Sequence, residues 1–375
     1  MGRPSRSLIA LIPLLLGGAC GDPIVVLGDA PGIARVIAGI GDSIGSRVDS
    51  LATRSRFTEP AGLAFDEGAG QQLFLADRGA SLTQGGVTRR VGRLFSIRSD
   101  GRLSLRADRG GCAAAVCLES PHSLALAPGG DLFVSDVVGH RIFRLRPGSN
   151  ALDVITGSGA AGSTADGTLA AGAAVNAPSG IAWVGGRLLF AEQGANRVRS
   201  IEPDGRLATV AGTGLPGSDG DGGPAASARL DAPAGLASAD GILFIADRGN
   251  NRVRRVDLAS GVISTVAGTG APAFGGDGGA ATAAGFDRPS SVAVTADGAT
   301  LFIADQGNDR VRAVDLLTGV VVTFAGTGDP AFVAGPRPAG AISVRRPAGL
   351  AVSASGFLFI ADAGHSVVWR ATLRY

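Results

Sequence analysis

Short apolar runs recur along this chain, and each is closed by an acid. The runs LFLAD, LFVSD, LLFAE and three copies of LFIAD end at Asp77, Asp136, Glu192, Asp247, Asp305 and Asp362, spaced 59, 56, 55, 58 and 57 residues apart. A proline stands ahead of each run, at Pro60, Pro121, Pro178, Pro233, Pro289 and Pro347, with spacings of 61, 57, 55, 56 and 58. Two independent markers that keep one period define six repeats. Repeat four shows the internal pattern. AGLA follows Pro233, a turn falls at Asp240-Gly241, and ILFIAD leads to a Gly249-Asn250 turn. RVRRVDL, a turn at Gly261 and VISTVAGTG complete it. Apolar and β-branched runs of this length, bounded by Gly, Asn and Asp, predict strands, and no stretch keeps a helical period over a useful length. Each repeat therefore predicts a four-stranded meander, which alone cannot cover both faces or close its edges. Radial repetition removes that problem, so the pattern predicts an all-β fold, a six-bladed β-propeller of four-stranded blades.

The two ends of the repeat array complement each other. Repeat six stops after its third strand, VVWRATLRY (Val367 to Tyr375), while Val36 to Gly41 (VIAGIG) reads as a fourth strand standing before repeat one. The N-terminal strand is therefore expected to complete the last blade and pair its open edge. An apolar residue three before each proline (Phe57, Leu118, Val175, Leu230, Phe286, Val344) is expected to plug each inter-blade linker into the core.

The consensus P-x-G-[IL]-A, G-x-L-[FI]-I-A-D, G-N-x-R-[VI]-R and T-V-A-G-T-G resembles the NHL repeat, in the long-spacer form common in bacterial exported proteins. The resemblance runs over roughly residues 35 to 375. It is strongest in repeats three to five and weakest in repeat one, where RGASLTQGGVTRR is inserted after Asp77. It implies the propeller fold and a role that the fold alone does not specify.

Composition narrows the chemistry. Sixty of 375 residues are Gly, yet 45% are apolar, a share that supports a packed core. All 34 basic residues are Arg, which excludes Schiff-base lysine chemistry and phosphate loops ending in Gly-Lys. The formal charge of +2 gives no overall pull toward nucleic acid.

The N-terminus reads as an address. Arg3 and Arg6 precede the apolar run Leu8 to Leu16, and Gly17, Gly18 and Ala19 precede Cys20. This is the order of a secretory signal, and the small residues before Cys20 resemble the lipobox of bacterial lipoproteins. As helix, the nine apolar residues rise only about 14 Å, too short for a bilayer core of about 30 Å. The expected organisation is a signal peptide over residues 1–19, a linker over 20–34 lipid-anchored through Cys20, and the propeller over 35–375. Cys112 and Cys117 then remain for a local disulfide in an oxidising compartment.

Candidate chemistry is sparse. Each strand-two acid faces an Arg five residues on (Asp136 and Arg141, Glu192 and Arg197, Asp247 and Arg252, Asp305 and Arg310), a pair expected to fix an exposed hairpin turn. The Gly- and Asp-rich linkers Ser218 to Pro233 and Gly275 to Pro289 suit turns and lack the D-x-D-x-D-G spacing of a calcium loop. His122 follows Pro121, where the other repeats have Ala61, Ser179, Ala234, Ser290 and Ala348. SPHSLAL resembles the post-proline histidine motif of the peptidyl-amidoglycolate lyase propellers, in which several such histidines hold zinc; one histidine cannot hold a catalytic zinc. His140 and His365 occupy turn positions where other repeats have Asn. No catalytic residue, metal or cofactor is assigned.

The reading that follows is an exported, membrane-tethered binding or scaffolding propeller of the bacterial envelope, monomeric and touching membrane only through its lipid. It would recognise a protein, peptide or glycan, not nucleic acid, on one face. The candidate contacts at the channel mouth are His122, Ser179 and Ser290. The alternative is a metal-assisted lyase or hydrolase with its site at that mouth.

Overall fold

The computed structural model describes residues 33–38, 52–55, 57–68, 71–79, 81–84, 87–107, 117–333 and 335–373. The apolar runs are strands, and they form a six-bladed propeller of antiparallel four-stranded blades, with the two-residue strand Arg337–Pro338 added at the outer edge of blade six. Blade four consists of Pro233–Ala239, Ile242–Asp247, Arg252–Asp257 and Ile263–Ala267, hydrogen-bonded in that order. The inner strands of the six blades begin at Pro60, Pro121, Pro178, Pro233, Pro289 and Pro347, and each touches the next around the ring, blade six returning to blade one. The insertion in blade one forms an added hairpin, Ser81–Gln84 with Val87–Arg90.

Both faces of each sheet are covered by neighbouring blades, which is why the second strands read as unbroken apolar runs rather than alternating ones. Six clusters of buried apolar residues lie between successive blades. One joins Phe244 and Ala246 of blade four to Val292, Leu301 and Ile303 of blade five. The expected plugs Phe57, Leu118, Val175, Leu230, Phe286 and Val344 are all fully buried, one in each cluster. Burial of one such side chain contributes about 1.5–3 kcal/mol.

Ring closure uses the N-terminal strand, as the sequence predicts, but earlier than VIAGIG suggests. The strand is Ile33–Ala38, pairing Ala34 with Ala371, Arg35 with Arg370 and Val36 with Trp369. Ala38 matches Ala267 of blade four, whose strand also ends at the alanine. The next glycine there, Gly268, takes φ 101° to leave the sheet, and a Cβ on it would sit 2.6 Å from the Asn251 carbonyl. Residues 39–41 of the VIAGIG motif lie outside the described residues.

The recurring acids correct the expected pairing. Asp247 and Arg252 are strand partners, as are Asp136 and Arg141, Glu192 and Arg197, and Asp305 and Arg310. The Arg252 and Arg310 guanidinium groups, however, turn outward to the carbonyls of Thr269 and Thr327. The acids are fully buried rather than exposed. Each accepts the backbone N–H of the residue two before its blade's proline: Thr58, Glu119, Asn176, Asp231, Asp287 and Arg345. Three of them meet a buried arginine seven residues on: Glu192 with Arg199 at 3.1 Å, Asp247 with Arg254 at 3.6 Å, Asp305 with Arg312 at 3.7 Å. Those arginines also reach the linker acids Asp166, Asp221 and Asp277 at 2.6–2.8 Å, so the linker acids serve as their counter-ions. In blade one Arg93 takes the partner role, 2.5 Å from Asp77. In blade six the Trp369 indole donates to Asp362 at 3.0 Å, beside His365 Nδ1 at 2.8 Å. Asp136 of blade two has Phe143 at that position and accepts only backbone N–H groups, from Glu119, Ser120 and Gly139.

A second bond locks adjacent blades. In blades two to five the turn residue before the third strand takes positive φ, and its side chain accepts the N–H just before the next proline. These pairs are His140 with Ala177, Asn196 with Ala232, Asn251 with Arg288 and Asp309 with Arg346, at 2.7–3.0 Å. His140 is thus a turn residue doing the work of asparagine.

Candidate functional site at the channel mouth

The inner strands approach too closely for side chains. A Cβ on Gly180 would lie 2.0 Å from the Ala234 carbonyl oxygen, and one on Gly349 1.7 Å from that of Ala61. Blades two and five have serine instead, and Ser123 and Ser291 accept the N–H of Ile181 and Leu350 in the next blade. What remains of the channel is about 40 Å³, bordered mainly by backbone. That is space for about one water, so the axis is a plugged floor rather than a pore.

Above that floor the mouth widens into a recess of about 230 Å³. It is shaped by the residue following each strand-two acid, at the point where the chain turns back from the inner face. Blade by blade that position holds Arg78, Val137, Gln193, Arg248, Gln306 and Ala363, and the first five line the recess. His122, Ser120, Ala234, Ser290 and Arg346 complete it.

Charge is concentrated here. Arg78, Arg248 and Arg346 supply three guanidinium groups to the wall. Glu59 pairs with Arg78 at 3.1 Å and with Arg346 at 3.3 Å. Arg248 makes no ion pair among the described residues; its one polar side-chain contact is with the Gln306 amide oxygen, at 3.5 Å. Burial and the nearby Arg288 hold its guanidinium below the usual arginine range. Burial, then the charges of Arg78 and Arg248, hold the His122 imidazole well below the usual histidine range, so it is neutral at pH 7. Its Nδ1 is buried with no hydrogen-bond partner. A buried polar atom without a partner costs about 1–3 kcal/mol, and this one borders the recess.

The three residues singled out in the sequence land differently. His122 and Ser290 line the mouth, and Ser290 also donates to the Pro347 carbonyl at 2.8 Å. Ser179 is fully buried and donates to the Pro233 and Ala234 carbonyls, between blades three and four. The signal segment and Cys20 lie outside the described residues, and so does Cys112, which leaves the Cys112–Cys117 bridge without a structural description. Sequence reasoning missed Arg78, Gln193, Arg248, Gln306 and Arg346. For all but Arg346, which stands before Pro347, the signal was present: the position after the acid varies from blade to blade while its neighbours repeat. A larger, mainly apolar recess of about 310 Å³ lies at the opposite end of blades six and one, beside Phe65, Phe357 and Phe359.

No family model matches the chain. NHL repeat-containing protein 2 of Gallus gallus is 30% identical over 217 residues, covering 51% of this chain and 29% of that protein. SUPPRESSOR OF QUENCHING 1 of Arabidopsis thaliana, a chloroplastic protein, is 33% identical over 132 residues, 33% of this chain and 12% of its own length. The chain thus spans less than a third of these curated relatives. Among solved structures, an auxiliary nutrient binding protein from Bacteroides thetaiotaomicron superposes with a TM-score of 0.62 at 13% identity, over 90% of this chain and 75% of that one. It is similar in fold.

Proposed function

We propose that this chain, an NHL-repeat β-propeller, is a binding module that recognises a protein, peptide or glycan partner on the face carrying the channel mouth. One observation carries the reading. The acids that end the second strands and the guanidinium ends of Arg199, Arg254 and Arg312 find ion-pair partners or backbone N–H donors within the frame, whereas at the mouth, among the described residues, Arg248 makes no ion pair and His122 Nδ1 no hydrogen bond. Polar groups that converge on a recess without satisfying one another favour an external ligand. The similarity in fold to a nutrient binding protein is consistent with such a role and names no ligand.

The proposal includes location: export by the N-terminal segment and attachment to the envelope through lipid on Cys20. Fractionation of cells making the full chain tests this part, and Cys20→Ser moves the protein from the membrane to the soluble exported fraction if the tether is real. Binding is tested with a panel of neutral and acidic oligosaccharides and peptides against the purified chain, read by ligand-observed NMR. Competition between wild type and a Val137→Trp variant, which fills the mouth, locates any signal. The reading fails if no probe distinguishes the two proteins. It also fails if the chain holds a stoichiometric divalent ion whose removal abolishes a turnover.

A further inference from the structure

From the chemistry of the same mouth we infer that its ligand is an acidic sugar, a hexuronate unit at the end of a glycan, with the carboxylate held by Arg248. This inference rests on the binding reading above and names its ligand class. Arg78, Arg248 and Arg346 bring positive charge to the recess; Glu59 pairs with Arg78 and Arg346, and the charge of Asp287 reaches Arg248 without an ion pair among the described residues. Arg248 is the group that carries no ion pair and lies half-buried, where a carboxylate would meet it with little competing water. A planar guanidinium fork matches a carboxylate in two parallel hydrogen bonds.

The rest of the wall argues for hydroxyls around that carboxylate. Gln193 supplies an amide able both to donate and to accept, the Gln306 amide is held by long contacts to Arg248 and the Pro347 carbonyl, and the neutral imidazole of His122 adds a ring nitrogen without charge. A recess of about 230 Å³ corresponds to the liquid volume of about eight waters, enough for one sugar ring and far too little for a folded partner. The channel below holds only about 40 Å³, room for no sugar ring, so a glycan meets the recess from its open side and does not thread the axis.

Calorimetric titration of the full-length protein with glucuronate, glucose, inorganic phosphate and a short peptide with a free C-terminal carboxylate tests this. Glucuronate is expected to bind, glucose to bind at least about tenfold more weakly, and salt to weaken glucuronate alone. Arg248→Gln is expected to weaken glucuronate about tenfold or more while leaving the melting transition in place. Arg346→Gln, on an exposed side chain, repeats the measurement should the first variant melt early. Phosphate or the peptide binding as tightly as glucuronate overturns the sugar assignment. A neutral oligosaccharide binding at the mouth with no preference for charge overturns this inference and leaves the binding reading standing; silence from every probe removes both.

Discussion

The acid that ends each second strand and the residue that follows it are adjacent in sequence and opposite in character. The acid is present in all six blades, fully buried, and tied to the N–H two residues before the proline. The next position holds Arg, Val, Gln, Arg, Gln and Ala in turn, and the first five of these line the recess at the mouth. One carbon-chain step separates the frame from the site. The difference teaches how a repeat protein divides its labour: positions that must close the same hydrogen bonds in every blade repeat, while positions that face the axis are free to differ.

The clasp is where breaking the frame has the largest effect. Removing residues 33–38 strips the fourth strand from blade six and exposes the edge at Val368, Trp369 and Ala371, all buried in the closed ring. Calorimetry should then show a broad transition in place of one cooperative peak, because the clasp supplies the main-chain pairing that completes blade six, and what else joins the blades at the seam, such as Glu59 with Arg346 and Ser366 with Thr58, is side-chain contact. A sharp transition near the wild-type temperature would mean that the ring holds without its clasp.

Next in size come the acids. Asp247→Ala leaves the Arg254 guanidinium buried with only Asp221 and the Arg229 carbonyl beside it, and a loss of about 3–5 kcal/mol is expected in denaturant unfolding. Asp136→Ala strands no cation, only backbone N–H groups, so about 1–3 kcal/mol is expected there. Equal losses in the two blades would show that the buried arginines add nothing to the frame.

Protonation sharpens the same contrast. Burial pushes the carboxyls of Asp247 and Asp305 up to about 6, and burial raises that of Asp136 as well. The folded chain therefore holds these protons more tightly than the unfolded one. The stabilisation they give is complete below about pH 4 and is lost as the pH rises, through about 6 for Asp247 and Asp305, on the order of 3 kcal/mol for each of those two. Comparison with Asp305→Asn isolates the effect from other carboxylates: the stability difference between wild type and variant should shift in favour of the variant between pH 4 and 7. A shift of the opposite sign would mean that Arg312 dominates burial.

Repetition made the frame legible from the residues alone. Blade number, the plugs from Phe57 to Val344 and the N-terminal clasp all follow from features present six times, so a local misreading in one repeat is corrected by the other five. The pairing of the acids was misread because sequence shows which Cα atoms face each other, not where side chains turn. Arg252 is the Cα partner of Asp247, yet its head points to the Thr269 carbonyl, and the ion pair belongs to Arg254, whose second acid, Asp221, comes from the preceding linker. The mouth was half legible. His122 stands out as a departure from a run of small residues, but Arg78, Arg248 and Arg346 meet only when the ring closes, and no local pattern carries that convergence.

The smallest expected effect is the one that tests the comparison most directly. Arg248→Gln removes a charge one residue beyond Asp247, and its stability should stay within about 0.5 kcal/mol of wild type in the same unfolding assay. Burial and Arg288 already hold the Arg248 guanidinium below the ordinary range, so keeping it charged in the free protein works slightly against folding. Neutralisation should therefore be neutral or mildly stabilising, the behaviour of a residue retained for a ligand at some expense to the fold. A loss above about 1 kcal/mol would place Arg248 in the frame with Arg254 and remove the distinction between the two adjacent rings.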